Sequence, residues 1–490
     1  MPDLADMLIL YAKKRLGFDP DTNQGVVLAL KEHLSGIKSP DGLPSSPVPL
    51  VRMLHACSNS SDAMTQARFA DNILASLSPS QDEVDKLFWA AYEQSPDKAT
   101  GFLFELGQDN HYIQTEKIAL NRHYHINDVI VTINLSKEEK DLKRVLDDMK
   151  PSSATFPKCP LCHENIGYPG IGDQPPRGTL RAAHMTLSGD PWFMQFSPYP
   201  YFDEHAIFID RIHRPMTVDL KAIRQLTEIV RLFPHYFVGT NAGMPITGGS
   251  ILSHAHFQGG KDPGFPLFKA RDVSAFNLPG FDSVKASIAD WPTFVIKLAS
   301  SDDDALARAA IHILEIFKTF NAADAGLIPS TGHTPHHGMA AIASRQDEMT
   351  VLHIVLRSNR TDEDHPQGIF HVRASHHHIK KEGVGLIEAL GMFILPGRLA
   401  PVMDRFASMR SDNDFQSLIN DYPLHASWLD TLKRSGSFDS DDLRDTFITG
   451  LADICRDILH DISVFQKTKE GQEAKDRFMS CLRGGNPCSN

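Results

Sequence analysis

Apolar residues recur at helical spacing through the first third of the chain and then give way to short runs broken by turn residues. Leu4, Met7, Leu8 and Tyr11 share one helix face, and Gly17 follows where a helix C-terminus favours glycine. The same period predicts helices near 63–77, 82–94 and 111–123. Residues 40–50 (PDGLPSSPVPL) predict a loop, because proline lacks an N–H and fixes φ. From about 155, the segments 181–187, 192–196 and 205–210 are short, apolar and turn-bounded, as in an antiparallel meander. A helix is predicted over 217–233, with Thr217 as N-cap, Asp219 in its first turn, and Leu220, Ile223, Leu226, Val230 and Phe233 along one face.

The plan then repeats. Residues 292–299 predict a strand, 303–320 a helix, 338–344 and 350–357 two more strands, and 384–394 an apolar helix. Strands, a helix, strands and a histidine-bearing segment thus occur twice, which points to a duplicated half-domain. The last ninety residues return to helix, with Ser440 as cap, Asp441 and Asp442 in the first turn, and Leu443, Phe447, Leu451, Ile454, Ile458 and Phe465 on one face. The tail SCLRGGNPCSN is expected to be disordered. The fold class is therefore α/β, an antiparallel sheet with helices. Its segments are a helical region 1–150, a first half 151–262, a second half 263–400 and a helical region 401–490.

Composition narrows the function. A chain of 490 residues exceeds one ordinary core, and 41 % hydrophobic with 22 % charged residues is a globular balance. The net charge of −12 argues against sequence-independent nucleic-acid binding, which neutralises phosphates with Lys and Arg. The start, MPDLADMLILYAKKRLG, lacks the basic first region of a secretory signal. The longest apolar run, near 386–396, is far short of the roughly 20 residues of a membrane span. Six cysteines in this length are no disulfide framework, and Cys57, Cys455, Cys481 and Cys488 read as buried or idle thiols. A reducing cytoplasm is the expected location.

Two motifs carry chemistry. Cys159-Pro160-Leu161-Cys162 can hold one tetrahedral metal from a tight turn, with histidines as the remaining ligands, since no second CxxC exists. A redox pair is the competing reading, although the setting of a thioredoxin-like motif is missing. The second motif is His254-Ala255-His256-Phe257-Gln258, with Gly248 and Gly249 before it and Gly259 and Gly260 after it. On a strand, His254, His256 and Gln258 would project together. An imidazole can attack phosphorus while an amide N–H steadies phosphoryl oxygens. Histidines filling a half-buried face are the plain alternative.

These residues identify the chain as resembling the galactose-1-phosphate uridylyltransferases, the bacterial class II branch of the histidine-triad superfamily. The resemblance rests on CPLCHENIGYPG (159–170), WFMQFSPYPYFDEHAIFIDRIHRPM (192–216), FPHYFVGTNAGMPITGGSILSHAHFQGG (233–260) and HHHIKKEGVGLIEALGMFILPGRL (376–399). NHYIQTEKIALN (110–121) and VTINLSKEEKD (131–141) add to it. The resemblance implies a histidine-triad-like core and a ping-pong exchange of UMP between UDP-glucose and a hexose 1-phosphate. By that resemblance the nucleophile would be His256, the second histidine of the motif, and Gln258 would be the glutamine at the phosphoryl oxygens. It further implies a structural zinc on Cys159, Cys162, His213 and His254, with His205 an alternative to His213. A second metal at His376 and His378, which share a face if extended, follows from likeness to class I enzymes, as does a homodimer.

Arg177 and Arg181 are candidates for uridine or phosphate contact, against the plain alternative of surface arginines. His378, Lys380 and Lys381 are candidates for holding the incoming sugar phosphate, against a solvated basic pair. Galactose 1-phosphate is the expected acceptor, with an N-acetylhexosamine 1-phosphate open. Two competing functions are a dinucleoside polyphosphate hydrolase or phosphorylase of the same superfamily and a zinc-stabilised binding module without catalysis.

Overall fold

The protein is represented by a computed structural model, which describes residues 3–39, 42–135, 157–172, 174–249, 251–435 and 440–485. Two compact units interleave along the chain. One comprises Met1–Ala119, Pro151–Arg214 and His254–Lys261, and the other Leu120–Lys150, Pro215–Ser253 and Asp262–Asn490.

The first unit opens with helices Leu4–Arg15, Gln24–Leu34, Val48–Cys57, Ala63–Leu77, Gln81–Tyr92 and Pro96–Asp109. The predicted face of the first helix is buried, and the Tyr11 hydroxyl donates to the Asp109 carbonyl at 3.0 Å. Local chemistry starts the later helices. Ser80 and Glu83 form a capping box, and Ser95 caps a helix whose first residue is Pro96. Four antiparallel strands follow in the order Ala183–Leu187, Asp190–Phe196, Ala206–Asp210, His256–Lys261. The predicted meander is present.

Two expectations fail here. The predicted helix over 111–123 is one turn at Thr115–Ile118 followed by a strand from Arg122. His111 sits at φ +66, a left-handed conformation that stops the preceding helix. The predicted loop over 40–50 ends early, because Val48 and Pro49 open the helix Val48–Cys57, where proline costs no hydrogen bond; residues 40–41 lie outside the described residues.

The second unit holds a six-stranded antiparallel arrangement in the order Tyr236–Thr240, His337–Gln346, Met349–Ser358, Val295–Ser300, Lys285–Ala289, Asp272–Phe276. Helix Leu220–Leu232 packs beside helix Asp303–Thr319. Asp219, not Thr217, is the N-cap of the former, accepting from the Ala222 N–H at 2.9 Å. An ionised carboxylate makes the stronger bond to an unpaired N–H, and its charge suits the helix N-terminus. Ile223, Leu226, Val230 and Phe233 are buried as predicted.

Val129–Asn134 pairs with Arg122–Ile126 and, in parallel, with Met392–Pro396. That last strand corrects the predicted helix over 384–394. Leu386–Ala389 makes one turn, Gly391 takes φ +100, and MFILP continues as strand. Behind this sheet lies a core that includes Phe393, Leu395, Phe406, Phe447, Leu451 and Ile458. Phe447, Leu451 and Ile458 come from the helix Ser440–Asp461, which ends before Phe465. The side chains of Ser440 and Asp441 lie outside the described residues. The expected disorder of the tail does not hold over residues 480–485, since Lys469–Leu482 is helical and the Gly485 N–H donates to the Ser480 carbonyl at 2.9 Å. Residues 486–490 lie outside the described residues. Cys57 and Cys455 are free thiols, but Cys481 is disulfide-bonded rather than idle. Among the described residues, no helix is long and apolar enough to cross a membrane.

Candidate functional site

The first unit assembles both motifs. The Cys159–Cys162 turn is closed by the Cys162 N–H to the Cys159 carbonyl at 3.2 Å. The Asn165 amide donates to both the Cys159 and Cys162 carbonyls, at 2.9 and 3.0 Å, and Leu161 N–H points at the Cys159 sulfur. The two sulfurs lie 3.7 Å apart. His213 Nδ1 lies 3.2 Å from Cys162 Sγ and 3.7 Å from Cys159 Sγ, and His254 Nδ1 lies 3.2 Å from Cys159 Sγ and 4.0 Å from Cys162 Sγ.

These four residues form a cluster able to hold a metal ion. Metal–sulfur bonds of about 2.3 Å at tetrahedral angles separate two thiolates by about 3.8 Å, close to the spacing observed. His254 is fully buried, and its Nε2–H donates to the Asp210 carbonyl at 2.7 Å, which leaves Nδ1 with its lone pair toward the sulfurs. The Cys162 thiol is pushed down, first by the hydrogen bond from the Cys159 thiol. Cys159 moves upward, because the pair shares one proton. His213, not His205, completes the cluster.

The turn after strand Ala206–Asp210 fixes this geometry. Asp210 is buried and pairs with Arg214, which also reaches Asp190 at 2.5 Å. Ala255 N–H donates to the Arg214 carbonyl at 2.7 Å, and Asp210 N–H to the Ala255 carbonyl at 3.0 Å. His254 therefore leaves the strand path. The sequence expectation that it shares a strand face with His256 and Gln258 is corrected, since the strand begins only at His256.

His256 and Gln258 do share a face. They are half-buried, whereas Phe257 points the other way and stacks on Trp192 at 4.8 Å and 13°. His256 Nδ1–H donates to the His254 carbonyl at 2.8 Å. This fixes the tautomer and leaves the Nε2 lone pair free. Burial is the main cause lowering the His256 pKa, with the His254 carbonyl pulling the other way.

The flanking glycines serve packing. A Cβ on Gly260, at φ +142, would overlap the Glu204 carbonyl, and one on Gly248 would overlap the Val384 carbonyl. Neither glycine is needed for close approach to a ligand in order to explain its presence.

The other candidates fall elsewhere. Arg177 donates to the Pro160 carbonyl at 2.7 Å and so braces the cysteine turn. Arg181 donates to the carbonyls of Pro79 and Gly178, both at 2.6 Å, and of Leu180 at 2.9 Å. Its guanidinium is occupied as a backbone clamp, which argues against a role in phosphate contact. In the second unit, Lys380 is buried and paired with Glu388 at 2.8 Å, so it is not the solvated or substrate-facing cation expected. Lys381 is exposed. His376 ends the 3-10 turn Ala374–His376 and His378 lies in the turn that follows, so neither is on an extended strand. His376 Nδ1 faces Asp461 at 2.8 Å, and His378 Nδ1 donates to the Ser375 carbonyl at 2.8 Å. The shared face that a second metal would need is absent there.

Sequence reading offered His205 only as an alternative metal ligand and gave His163 and His184 no role in the site. His205 Nε2 meets Gln258 Oε1 at 3.2 Å. His184 links Asp85 at 2.7 Å to His163 at 2.8 Å. Both depend on pairing across strands or helices, and His163, next to Cys162, was the one local signal.

A family model described as galactose-1-phosphate uridyl transferase, N-terminal domain, matches residues 39–215. A galactose-1-phosphate uridylyltransferase of Halalkalibacterium halodurans is 39 % identical over 84 % of this chain and 82 % of its own length. Those of Lactiplantibacillus plantarum and Bacillus subtilis are 38 % and 39 % identical, over 84 % and 79 % of this chain and 84 % and 77 % of theirs. A solved yeast Ap4A phosphorylase covers 68 % of this chain and 96 % of its own, at 13 % identity and a TM-score of 0.37. The uridylyltransferase relatives fix the class of this mixed α/β protein as a transferase. The chain belongs to the galactose-1-phosphate uridylyltransferase family.

Proposed function

We propose that this chain exchanges UMP between UDP-glucose and galactose 1-phosphate through a uridylyl adduct on His256. The observation that carries this is the Nδ1–H bond to the His254 carbonyl, which leaves Nε2 as the free base of a neutral ring. Its lone pair forms an N–P bond with the α-phosphorus, and the P–O bond to glucose 1-phosphate breaks. A phosphate oxygen of galactose 1-phosphate then attacks the same phosphorus and the N–P bond breaks. Gln258, on the same face, donates amide N–H to the phosphoryl oxygens as charge builds there.

Zinc on Cys159, Cys162, His213 and His254 would supply a structural tie. His254, held between that cluster and the Asp210 carbonyl, presents the carbonyl that orients His256. Arg177, beside the cysteine turn, stays within the proposal as a substrate contact. The same reading puts the chain in the cytoplasm as a homodimer.

The test uses UDP-glucose and radiolabelled glucose 1-phosphate without any second acceptor. Label entering UDP-glucose supports the ping-pong route, and its absence with active protein refutes it. A screen of hexose and N-acetylhexosamine 1-phosphates should then give galactose 1-phosphate the highest kcat/KM.

A further inference from the structure

We propose that His205 is a positioning residue for the transfer reaction, holding the Gln258 carboxamide with its N–H donors turned toward the face of His256. The inference rests on the functional reading above and adds a residue to it.

His205 precedes the strand Ala206–Asp210, which pairs with the His256 strand so that Ile207 lies opposite Gln258. The ring is 4 % exposed, and its Nε2 lies 3.2 Å from Gln258 Oε1. The direction of this bond follows from the other nitrogen. Tyr201 N–H points at His205 Nδ1 from 3.5 Å, and a backbone N–H can only donate. Nδ1 is therefore the acceptor, Nε2 carries the proton, and Nε2–H donates to the carboxamide oxygen. An amide bonded through its oxygen keeps both N–H donors for other acceptors. Were the tautomer reversed, the amide would turn over and give an N–H to His205. The donor needed at phosphorus would then be lost.

The loop that carries His205 is held from several sides. Glu204 takes φ +52, rare for a residue with a side chain. Its carboxylate pairs with Lys261 at 2.6 Å, and Lys261 also reaches Asp97 at 3.0 Å. Gly260 leaves room for the Glu204 carbonyl, and the Phe202 ring lies 4.7 Å from the imidazole at 30°. Such a conformation persists only where its surroundings over-determine it. Burial keeps the ring neutral, its pKa pushed down to about 4, so the donor state persists through the neutral range.

The test is a double-mutant cycle read on the half-reaction. His205→Phe keeps an aromatic ring and removes the donor, and Gln258→Ala removes the amide. Single-turnover formation of the His256 adduct from UDP-glucose should slow about 10- to 100-fold in each, with KM for UDP-glucose moving much less than kcat. The double variant should be no slower than Gln258→Ala alone. His205→Gln, which carries an N–H, should recover much of the rate. Losses that multiply in the double variant, a wild-type rate in His205→Phe, or a folded His205→Gln as slow as His205→Phe would each overturn the role. A wild-type chain that forms no adduct at all overturns the functional reading and this inference together. An adduct with multiplicative losses overturns only the inference.

Discussion

Replacing His337 with asparagine should make the protein less sensitive to acid. His337 is 3 % exposed, its ring stacks on Phe317 at 4.4 Å and 15°, and Nδ1–H donates to the Phe317 carbonyl at 2.8 Å. Nε2 faces no partner among the described residues, so a proton added there would be buried without an acceptor. Burial is accordingly the largest cause of its lowered pKa, from 6.5 to about 4. The unfolded chain thus binds the proton first. The stability this neutral ring contributes is complete above the unfolded value of 6.5 and is lost as pH falls toward about 4. At about pH 5 the loss is about 2 kcal/mol, and its limit is about 3 kcal/mol. Asparagine keeps the donor to Phe317 but not the ring, at a cost of about 2 kcal/mol in packing at alkaline pH. Urea denaturation at about pH 8 and about pH 5 should therefore show wild type ahead by about 2 kcal/mol in the first and nearly level in the second. A gap that stays constant between the two refutes the reasoning. His353, His371 and His425 are also held low by burial, so wild type should lose stability steeply over the same range.

Other perturbations separate the structural parts. Elemental analysis should find a bound metal in the wild type and none in Cys159→Ala, and the variant should lose at least about 3 kcal/mol of stability, because the other three residues of the cluster would lack their fourth. Gly260→Ala should destabilise by about 2–4 kcal/mol and slow turnover, because the Glu204 carbonyl must retreat and carry His205 with it; thermal unfolding and kcat together check this. Arg181→Gln should lower the melting temperature while leaving KM for UDP-glucose within about twofold, since its donors serve backbone carbonyls.

Much of the architecture was legible because amphipathic periodicity is a direct record of which face is buried. The helix Leu4–Arg15, the meander 183–210 and the pair Asp303–Thr319 with His337–Ser358 all followed from it. Errors came where one residue outweighed the pattern. Gly391 turned an apolar run from helix to strand, and Asp219 displaced Thr217 as cap. In the candidate site, the Cys159–Cys162 turn and the shared face of His256 and Gln258 were legible because their spacing is local. The partner of Gln258 was not. His205 lies 53 residues away, and only strand register brings it within hydrogen-bond reach. Arg181 and Lys380 were misread for the converse reason, since a cation's carbonyl or carboxylate partners leave no trace in neighbouring sequence.

The central claim is that His256 carries the uridylyl group. Peptide mass spectrometry after incubation with UDP-glucose alone, quenched in base to protect the acid-labile N–P bond, tests it directly. The account predicts one uridylyl group on the peptide bearing His256, removed on adding galactose 1-phosphate and absent in His256→Ala. An unmodified His256 in protein that still turns over, or the same adduct on a different residue, would contradict it.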